Sequence, residues 1–290
     1  MNFLNKWYTY QKERFPVATY GLYILCLSFA AFFYNTKMLE IESNVGVFIT
    51  MFVVAFLQFL MVRIIDEFKD YEEDKKYRPY RPVPRGLIKL KELRTLFVIC
   101  IIIQFALTLI MNPFSLIFLL VLWIMFILMT KSFFMKKLVD KHILLEVALD
   151  EILLPVLMLY LTSFIKLDIT ILWRLLLLSY VVSWIIEIAR KVRCKKDEEK
   201  GVKTYTAVFG IPKATILLSA LELILTILRL FLPGEPLMNV AQIGLIILFI
   251  GTIIVNVLFT QKKTRKLAKA VEYLADGLVM LTLLSTLFVI

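Results

Sequence analysis

The sequence predicts an all-α, polytopic membrane protein with nine transmembrane helices around a central cavity that opens to the cytoplasmic side. Of its 290 residues, 60% are hydrophobic, and the mean hydropathy is +0.82. A soluble domain of this length could not bury that much apolar surface. Several apolar runs also reach the roughly 20 residues that a membrane-spanning helix needs. Lysine and arginine concentrate in alternate connections, as expected when successive helices cross a membrane.

Nine apolar segments account for the predicted spans. They cover residues 17–35, 46–65, 94–112, 113–130, 143–165, 168–188, 213–232, 238–259 and 270–290. The third and fourth meet at Asn112-Pro113, where a helix stop precedes a proline that favours a first turn. We expect residues 1–290 to form a single transmembrane domain without a separate soluble module.

The basic residues predict how the chain is oriented. Most of the 34 lysines and arginines lie in the N-terminal tail or after the second, fourth, sixth and eighth segments. The opposite connections contain only Lys37 and Lys166. The positive-inside rule therefore places the N-terminus and the charged connections in the cytoplasm and the C-terminus outside. We expect an integral protein of a bacterial-type plasma membrane.

The net charge of +11 then belongs to one face of the membrane. It suits contact with anionic lipid headgroups. Nucleic-acid binding is excluded as a function because no soluble module remains to carry it. His142 is the only histidine, which excludes a multi-histidine metal centre.

An acidic run ends the second segment. Asp66, Asp70 and Asp74 recur every fourth residue, so on a helix they share one side, and Glu67 lies next to them. Carboxylates are costly in a membrane and are disfavoured at a helix C-terminus. Both costs are explained if these four residues bind a divalent metal. Mg²⁺ fits, because it binds one or two carboxylates and leaves its other positions to water and substrate phosphates.

A proline-spaced arginine segment follows at residues 78–86, with the sequence RPYRPVPRG. Its prolines restrict the chain to extended or turn conformations. In a polyproline-like geometry Arg78 and Arg81 would share a face and could bind phosphate oxygens bidentately. We predict that both bind a diphosphate. Ordinary topogenic charge is the alternative, most of all for Arg85.

A second charged connection follows the sixth segment. Its carboxylates, which we predict to form a second metal cluster, are Glu187, Asp197, Glu198 and Glu199. Further predicted diphosphate ligands are Lys136, Lys137 and Lys203. Both charged connections emerge on the same side of the membrane. They could therefore hold metal ions from opposite sides with a diphosphate between them, and the predicted catalytic residues are Asp66, Asp70, Asp74 and Asp197.

These residues resemble the motifs of the UbiA superfamily of intramembrane prenyltransferases. The family's first motif is Asn-Asp-x-x-Asp-x-x-x-Asp followed by Arg-Pro-x-Arg-Pro-(Ile/Val)-Pro-x-Gly. Here Asp66 and Glu67 replace its first two residues, Asp70 and Asp74 match, and residues 78–86 match throughout. The resemblance covers the whole chain. It implies nine spans with a cytoplasmic catalytic mouth, Mg²⁺, and prenyl transfer from an isoprenoid diphosphate to an aromatic or other lipid-soluble acceptor.

The second motif matches less well. Residues 201–204, with the sequence GVKT, fit the family's Gly-x-Lys-(Ser/Thr) turn, and Asp197 fits the later of its two aspartates. Arg193 stands where the earlier aspartate would fall. This departure leaves open the ligands of a second metal and the acceptor. A terpene cyclase of the same fold, in which the carbocation attacks its own chain, remains an alternative. A transporter is a weaker one, because the acids concentrate at one mouth rather than at mid-membrane.

Other ionisable residues in the spans are candidates for function. Glu146, Asp150 and Glu151 lie in the cytoplasmic half of the fifth segment and could line the cavity as acceptor ligands or as a proton acceptor. Arg14 lies beside the mouth of the first segment and could reach the site. For Glu222, Glu272 and Asp276 we expect structural pairing with basic residues, and for His142 an interfacial position.

Overall fold

The computed structural model describes residues 2–139, 141–199, 202–231 and 240–288, and this part of the chain contains helices but no strand. The all-α prediction is therefore confirmed. The α-helices are α1 (Phe3–Arg14), α2 (Val17–Met38), α3 (Val45–Lys69), α4 (Tyr71–Tyr77), α5 (Leu90–Met111), α6 (Leu116–Thr130), α7 (Lys136–Val139), α8 (Ile143–Asp150), α9 (Leu153–Thr162), α10 (Ile169–Arg190), α11 (Tyr205–Phe209), α12 (Ile211–Leu230), α13 (Val240–Lys262) and α14 (Arg265–Leu284).

Eight helices in the described ranges are long and apolar enough to cross a membrane. They are α2, α3, α5, α6 with the 3₁₀ turn before it, α10, α12, α13, and α14 with the turn after it. This confirms a polytopic membrane protein. The predicted segments that reach residues 232–239 and 289–290 extend outside the described residues.

The predicted fifth segment, residues 143–165, differs from the other eight because it forms two short helices, α8 and α9. The break has a local cause in Pro155, which has no N–H to donate to the carbonyl of Glu151. Side chains of α10 satisfy the carbonyls freed at the break. The Tyr180 hydroxyl donates to the Ala148 carbonyl at 2.9 Å, and the Ser183 hydroxyl donates to the Glu151 carbonyl at 3.3 Å. Such substitution by side chains lets a broken helix exist inside an apolar bundle.

Helix α10 is central to the bundle, since it packs against α2, α9, α12 and α14. The main hydrophobic core includes buried residues from all five of these helices. Helix α3 packs on α2 and α5, so its acidic C-terminal end faces a space also bordered by the C-terminal end of α10. The long helices thus place the two predicted acidic clusters at the same end of the bundle.

Several contacts join the charged connections at that end. Arg85 pairs with Glu13 at 2.8 Å, which ties the proline-spaced segment to α1. Arg265, at the start of α14, lies 3.4 Å from Asp197. The N-terminal helix and the connections after α3, α10 and α13 therefore meet at one end of the bundle, as their shared positive charge predicts.

Candidate active site

The acidic run bends at its middle. Helix α3 ends at Lys69 and α4 begins at Tyr71, while Asp70 between them has φ −95° and ψ 3°. Hydrogen bonds from Asp70 N to Asp66 O and from Asp74 N to Asp70 O continue the helical pattern across the bend. The four predicted ligands do not share one environment. Glu67 and Asp74 are buried, with 2% and 1% exposure, whereas Asp66 and Asp70 are only partly buried.

Glu67 is held between two arginines. Arg14 Nε, at the end of α1, donates to Glu67 Oε1 at 2.5 Å, and Arg63 donates to the same oxygen at 2.9 Å. Arg63 lies one turn before Glu67 on α3, where an i,i+4 pair is favoured. Arg14 thus reaches the site by neutralising a buried carboxylate. The charge of Glu67 is already balanced by protein groups.

Asp74 organises the proline-spaced segment. Arg81 donates to Asp74 Oδ2 at 2.6 Å, Arg78 lies 3.2 Å from the other oxygen, and Arg14 lies 3.8 Å away. The segment consists of tight turns rather than a polyproline helix, because Arg81 N donates to Arg78 O and Gly86 N donates to Val83 O. The side chains of Arg78 and Arg81 nevertheless lie close together, because both contact the Asp74 carboxylate. We call Arg14, Arg63, Arg78 and Arg81 the arginine cluster.

Asp66 and Asp70 are the carboxylates of this run that remain open. Among the described residues Asp66 forms one ion pair, with Arg63 at 3.4 Å, and it keeps 35% of its side-chain surface accessible. Within the described ranges Asp70 forms no ion pair. Burial, and next the negative charge of Asp74, raise the pKa of Asp70 above its ordinary value. Two carboxylates that lie one turn apart and destabilise each other's charge form a donor set that suits a hard divalent cation.

The two charged connections touch each other. The Tyr80 hydroxyl donates to Glu199 at 3.5 Å, and Arg78 Nε lies 3.9 Å from the other oxygen of that carboxylate. This contact brings Glu199 of the second predicted cluster against the arginine cluster. The structure therefore joins the two motifs through a tyrosine and an arginine of the first and a carboxylate of the second.

The other carboxylates of the second connection already have donors. Glu198 accepts hydrogen bonds from the hydroxyls of Thr204 and Thr206 at 2.6 to 2.8 Å. Asp197 accepts from the Cys194 thiol at 3.2 Å and pairs with Arg265. In the part of the chain that the structure describes, no three His, Cys, Asp or Glu side chains are grouped to hold a metal ion. A hard divalent cation held by fewer side chains takes water or substrate oxygens at its other positions.

Arg190, at the end of α10, lies at the centre of the polar space. It donates to Glu187 at 2.5 Å, and Glu187 also pairs with Lys191. Asp66 on α3, with Glu272 and Asp276 on α14, lies within electrostatic range of Arg190. The Arg190 side chain keeps 52% of its surface accessible and lines a cavity together with Glu272. Acids of α3, α10 and α14 therefore lie around this arginine.

The break between α8 and α9 contributes to the same cavity. Asp150 lies within electrostatic range of Lys69, Glu187 and Asp66, and Glu151 within range of Glu187 and Arg190. Lys69, Glu146 and Asp150 also line a small pocket beside it. The structure therefore gathers all three predicted cavity residues near the first acidic cluster.

Aromatic rings border the cavity on the side of α2 and α3. The rings of Phe15 and Tyr20 stack with centroids 4.5 Å apart, and Tyr23 packs edge-on against Phe59 at 5.7 Å. Tyr20 lies within electrostatic range of Arg190, and Tyr23 within range of Glu151. The aromatic wall, defined as Phe15, Tyr20, Tyr23 and Phe59, thus adjoins the charged groups.

The predicted lysine ligands are less well connected to this site. Lys136 and Lys137 are exposed on α7, and Lys203 is exposed just before α11. Their role in binding phosphate stays a prediction. Gly201 of the predicted turn lies outside the described residues. Glu222 does not pair with a basic residue as expected but accepts a hydrogen bond from Asn256 at 3.1 Å.

Sequence reasoning missed four contributors to the site. Arg63, Lys69, Arg190 and Tyr80 appear in the sequence as topogenic charge or as a variable position. A signal existed for Arg63 and Arg190, because their i,i+4 and i,i+3 spacings to Glu67 and Glu187 predict helical ion pairs. Lys69 and Tyr80 meet groups of other elements only through packing.

Comparisons with known proteins agree with this architecture. The profile of the UbiA prenyltransferase family matches residues 23–277. A solved structure of digeranylgeranylglyceryl phosphate synthase superposes with a TM-score of 0.62 at 21% identity, covering 98% of each chain. The apo structure of a UbiA homologue from Aeropyrum pernix K1 gives a TM-score of 0.65 at 13% identity, covering 90% of this chain and 97% of that one. No curated protein sequence matches the chain.

At these identities the two structures establish the fold, while the family profile spans most of the sequence, including both charged connections. Membership of this family implies intramembrane prenyltransferase activity. The chain belongs to the UbiA prenyltransferase family.

Proposed function

We propose that this protein is a Mg²⁺-dependent intramembrane prenyltransferase that transfers a prenyl group from an isoprenoid diphosphate to an aromatic or other lipid-soluble acceptor. One observation carries the proposal. Asp66 and Asp70 remain partly exposed at the end of α3, while the neighbouring Glu67 and Asp74 hold four arginines beside them. This arrangement offers carboxylates to a metal and guanidinium groups to the phosphates beside it.

The residues fit Mg²⁺ at the first motif better than at the second. Asp66 and Asp70 would hold the ion, with diphosphate oxygens completing its shell. When bound, Mg²⁺ neutralises the diphosphate and stabilises it as a leaving group. For Glu67 and Asp74, predicted as ligands from their spacing, we propose the role of anchors for the arginine cluster, because both already contact arginines. Mg²⁺ is thus assigned here to two of the four predicted carboxylates.

Arg78 and Arg81 would bind and orient the diphosphate. A guanidinium group has five N–H donors, so pairing with Asp74 leaves donors for a phosphate. Asp74 fixes both groups and lowers the entropy that they lose on binding. Their charge balances the diphosphate as the allylic C–O bond breaks and the leaving group takes the electron pair.

The remaining lining suits the rest of the reaction. The aromatic wall presents π-faces, which stabilise the allylic carbocation once water is excluded. The acceptor then attacks the cation and loses a proton. Asp150 and Glu151, at the break between α8 and α9, are placed to take that proton. An interrupted helix, completed by α8 and α9 together, would be the ninth span. The charged end of the bundle would face the cytoplasm, and the C-terminus would lie outside.

Product analysis tests this function. Purified protein is incubated with prenyl diphosphates of increasing length, with and without lipid extract, and products are identified by mass spectrometry. We expect a prenylated lipid that requires the extract. A cyclised hydrocarbon formed without extract would identify a terpene cyclase instead.

Removing the metal should stop the reaction. EDTA is expected to abolish product formation and added Mg²⁺ to restore it, because the leaving diphosphate would otherwise depart with its charge uncompensated. Product yield is measured before and after chelation on the same sample. An unchanged yield in EDTA would contradict the assignment of Asp66 and Asp70.

Replacing Arg81 with alanine should mainly weaken diphosphate binding. Loss of a charge-assisted hydrogen bond worth roughly 1.5–3 kcal/mol corresponds to a change in affinity of about 10- to 100-fold. Binding of inorganic pyrophosphate is measured by calorimetry in detergent. Lys91→Ala removes an exposed cation from α5 and serves as the matched control. If wild type and Arg81→Ala bind pyrophosphate with equal affinity, Arg81 contributes to membrane topology and not to diphosphate binding.

A further inference from the structure

A cleft beside the second charged connection is not explained by the first metal cluster. It lies between residues 190–199 and the start of α14 and has a volume of about 470 Å³. The basic side chains that line it are Arg190, Arg193, Lys196, Arg265 and Lys269, and the acidic ones are Asp197, Glu198, Glu199 and Glu272. The basic groups outnumber the acidic ones, which suits an anionic ligand.

The carboxylates of this cleft do not fit a second divalent ion. Glu198 already accepts hydrogen bonds from the hydroxyls of Thr204 and Thr206, and Asp197 pairs with Arg265. Glu199 faces Arg78 and Tyr80 on the other connection. A divalent ion could bind these three carboxylates only by displacing the protein groups that already contact them.

Arg193 holds a defined position in the wall of the cleft. It stands where the family motif expects an aspartate. Its backbone N donates to the Thr206 hydroxyl at 3.1 Å, and its neighbours Val192 and Cys194 are each 3% exposed. These contacts fix the position of Arg193 in the cleft wall. Within the described ranges its guanidinium group forms no ion pair closer than 4 Å, although Glu272 lies within electrostatic range.

We propose that Arg193 binds a phosphate group in this cleft and replaces the second metal ion of the site. This rests on the proposed prenyl transfer. A guanidinium group offers a permanent positive charge and a bidentate fork for phosphate oxygens, and it needs no carboxylate ligands. Glu199 lines the cleft and lies 3.9 Å from Arg78 of the arginine cluster, so the cleft adjoins the first half of the site.

The phosphate has two chemical sources. It is either the diphosphate of the prenyl donor or a phosphate monoester carried by an anionic lipid acceptor. Both place a phosphate against Arg193, and they differ in which small probe the cleft retains. Inorganic pyrophosphate represents the first source and glycerol phosphate the second.

Calorimetry on the full chain in detergent tests the proposal. Each probe is titrated, in the presence of Mg²⁺, into wild type, Arg193→Ala, Arg193→Lys and Lys195→Ala. Lys195 is the matched control because it is exposed on the same connection and does not line the cleft. We expect Arg193→Ala to weaken one probe about tenfold or more, Arg193→Lys to weaken it less, and Lys195→Ala to stay within about twofold of wild type, since an exposed charge contributes little.

The probe that is weakened identifies the source. Loss of pyrophosphate binding assigns Arg193 to the donor, and loss of glycerol phosphate binding assigns it to an anionic acceptor. If neither probe is weakened in Arg193→Ala, or if Lys195→Ala is weakened as much, the proposal is wrong. Prenyl transfer by the wild-type protein would still stand in that case, so the two failures can be told apart.

Discussion

Replacement of Asp70 by asparagine is expected to abolish turnover while leaving a folded, membrane-inserted protein. Asp70 is partly exposed and forms no ion pair in the described residues, so its replacement removes a proposed metal ligand without leaving a buried arginine unpaired. The loss of one interaction with the charge that develops on a leaving group typically costs about 10²–10³ in kcat. We therefore expect prenylated product to fall at least roughly 100-fold.

Asp168→Asn provides the matched control for this prediction. Asp168 accepts a hydrogen bond from Thr170 N at the start of α10, far along the chain from the acidic run. Asparagine caps a helix about as well as aspartate. The control should keep both its activity and its elution volume on size exclusion. Near-normal turnover by Asp70→Asn, measured beside this control, would remove Asp70 from the metal site.

Replacement of Glu67 by glutamine is expected to destabilise the protein strongly. Glu67 balances Arg14 and Arg63, and all three side chains are largely buried. Removing one partner of a buried ion pair leaves an uncompensated charge and typically costs ~3–5 kcal/mol. The midpoint of thermal unfolding in detergent should therefore fall by several degrees. Activity should fall as well, because Arg14 also approaches Asp74 and the arginine cluster would loosen.

Glu72→Gln makes the same change five residues later, at an exposed site on α4. Its stability should lie within about 0.5 kcal/mol of wild type. A thermal midpoint for Glu67→Gln equal to that of Glu72→Gln would show that Glu67 is not a buried anchor. Its assignment as a metal ligand would then regain support.

Local pattern predicts the long helices and the two charged connections. Apolar run length specifies α2, α3, α5 and α10, and alternation of basic residues predicts which connections share an end. The break at Pro155 was also visible in the sequence, because that proline cannot donate to the carbonyl of Glu151. Apolar run length alone predicts one continuous helix over residues 143–165, whereas the structure has two helices there, α8 and α9.

The division of work among the acids could not be predicted from their spacing. Asp66, Glu67, Asp70 and Asp74 look equivalent along a helix. They differ because Arg14 of α1 reaches Glu67 and Arg81 of the turn segment reaches Asp74. These two contacts are set by packing between α1, α3 and the turn segment, which no local pattern contains. The same reason hides Tyr80, whose partner Glu199 lies on another connection.

The most direct test measures pyrophosphate and prenylated lipid in the same reaction. Purified protein, an allylic prenyl diphosphate and lipid extract are followed over time with Mg²⁺ and with EDTA. We expect pyrophosphate and prenylated lipid to form at equal rates with Mg²⁺, and neither to form in EDTA. Pyrophosphate released without prenylated lipid, or prenylated lipid formed at the same rate in EDTA, would contradict Mg²⁺-dependent prenyl transfer at Asp66 and Asp70.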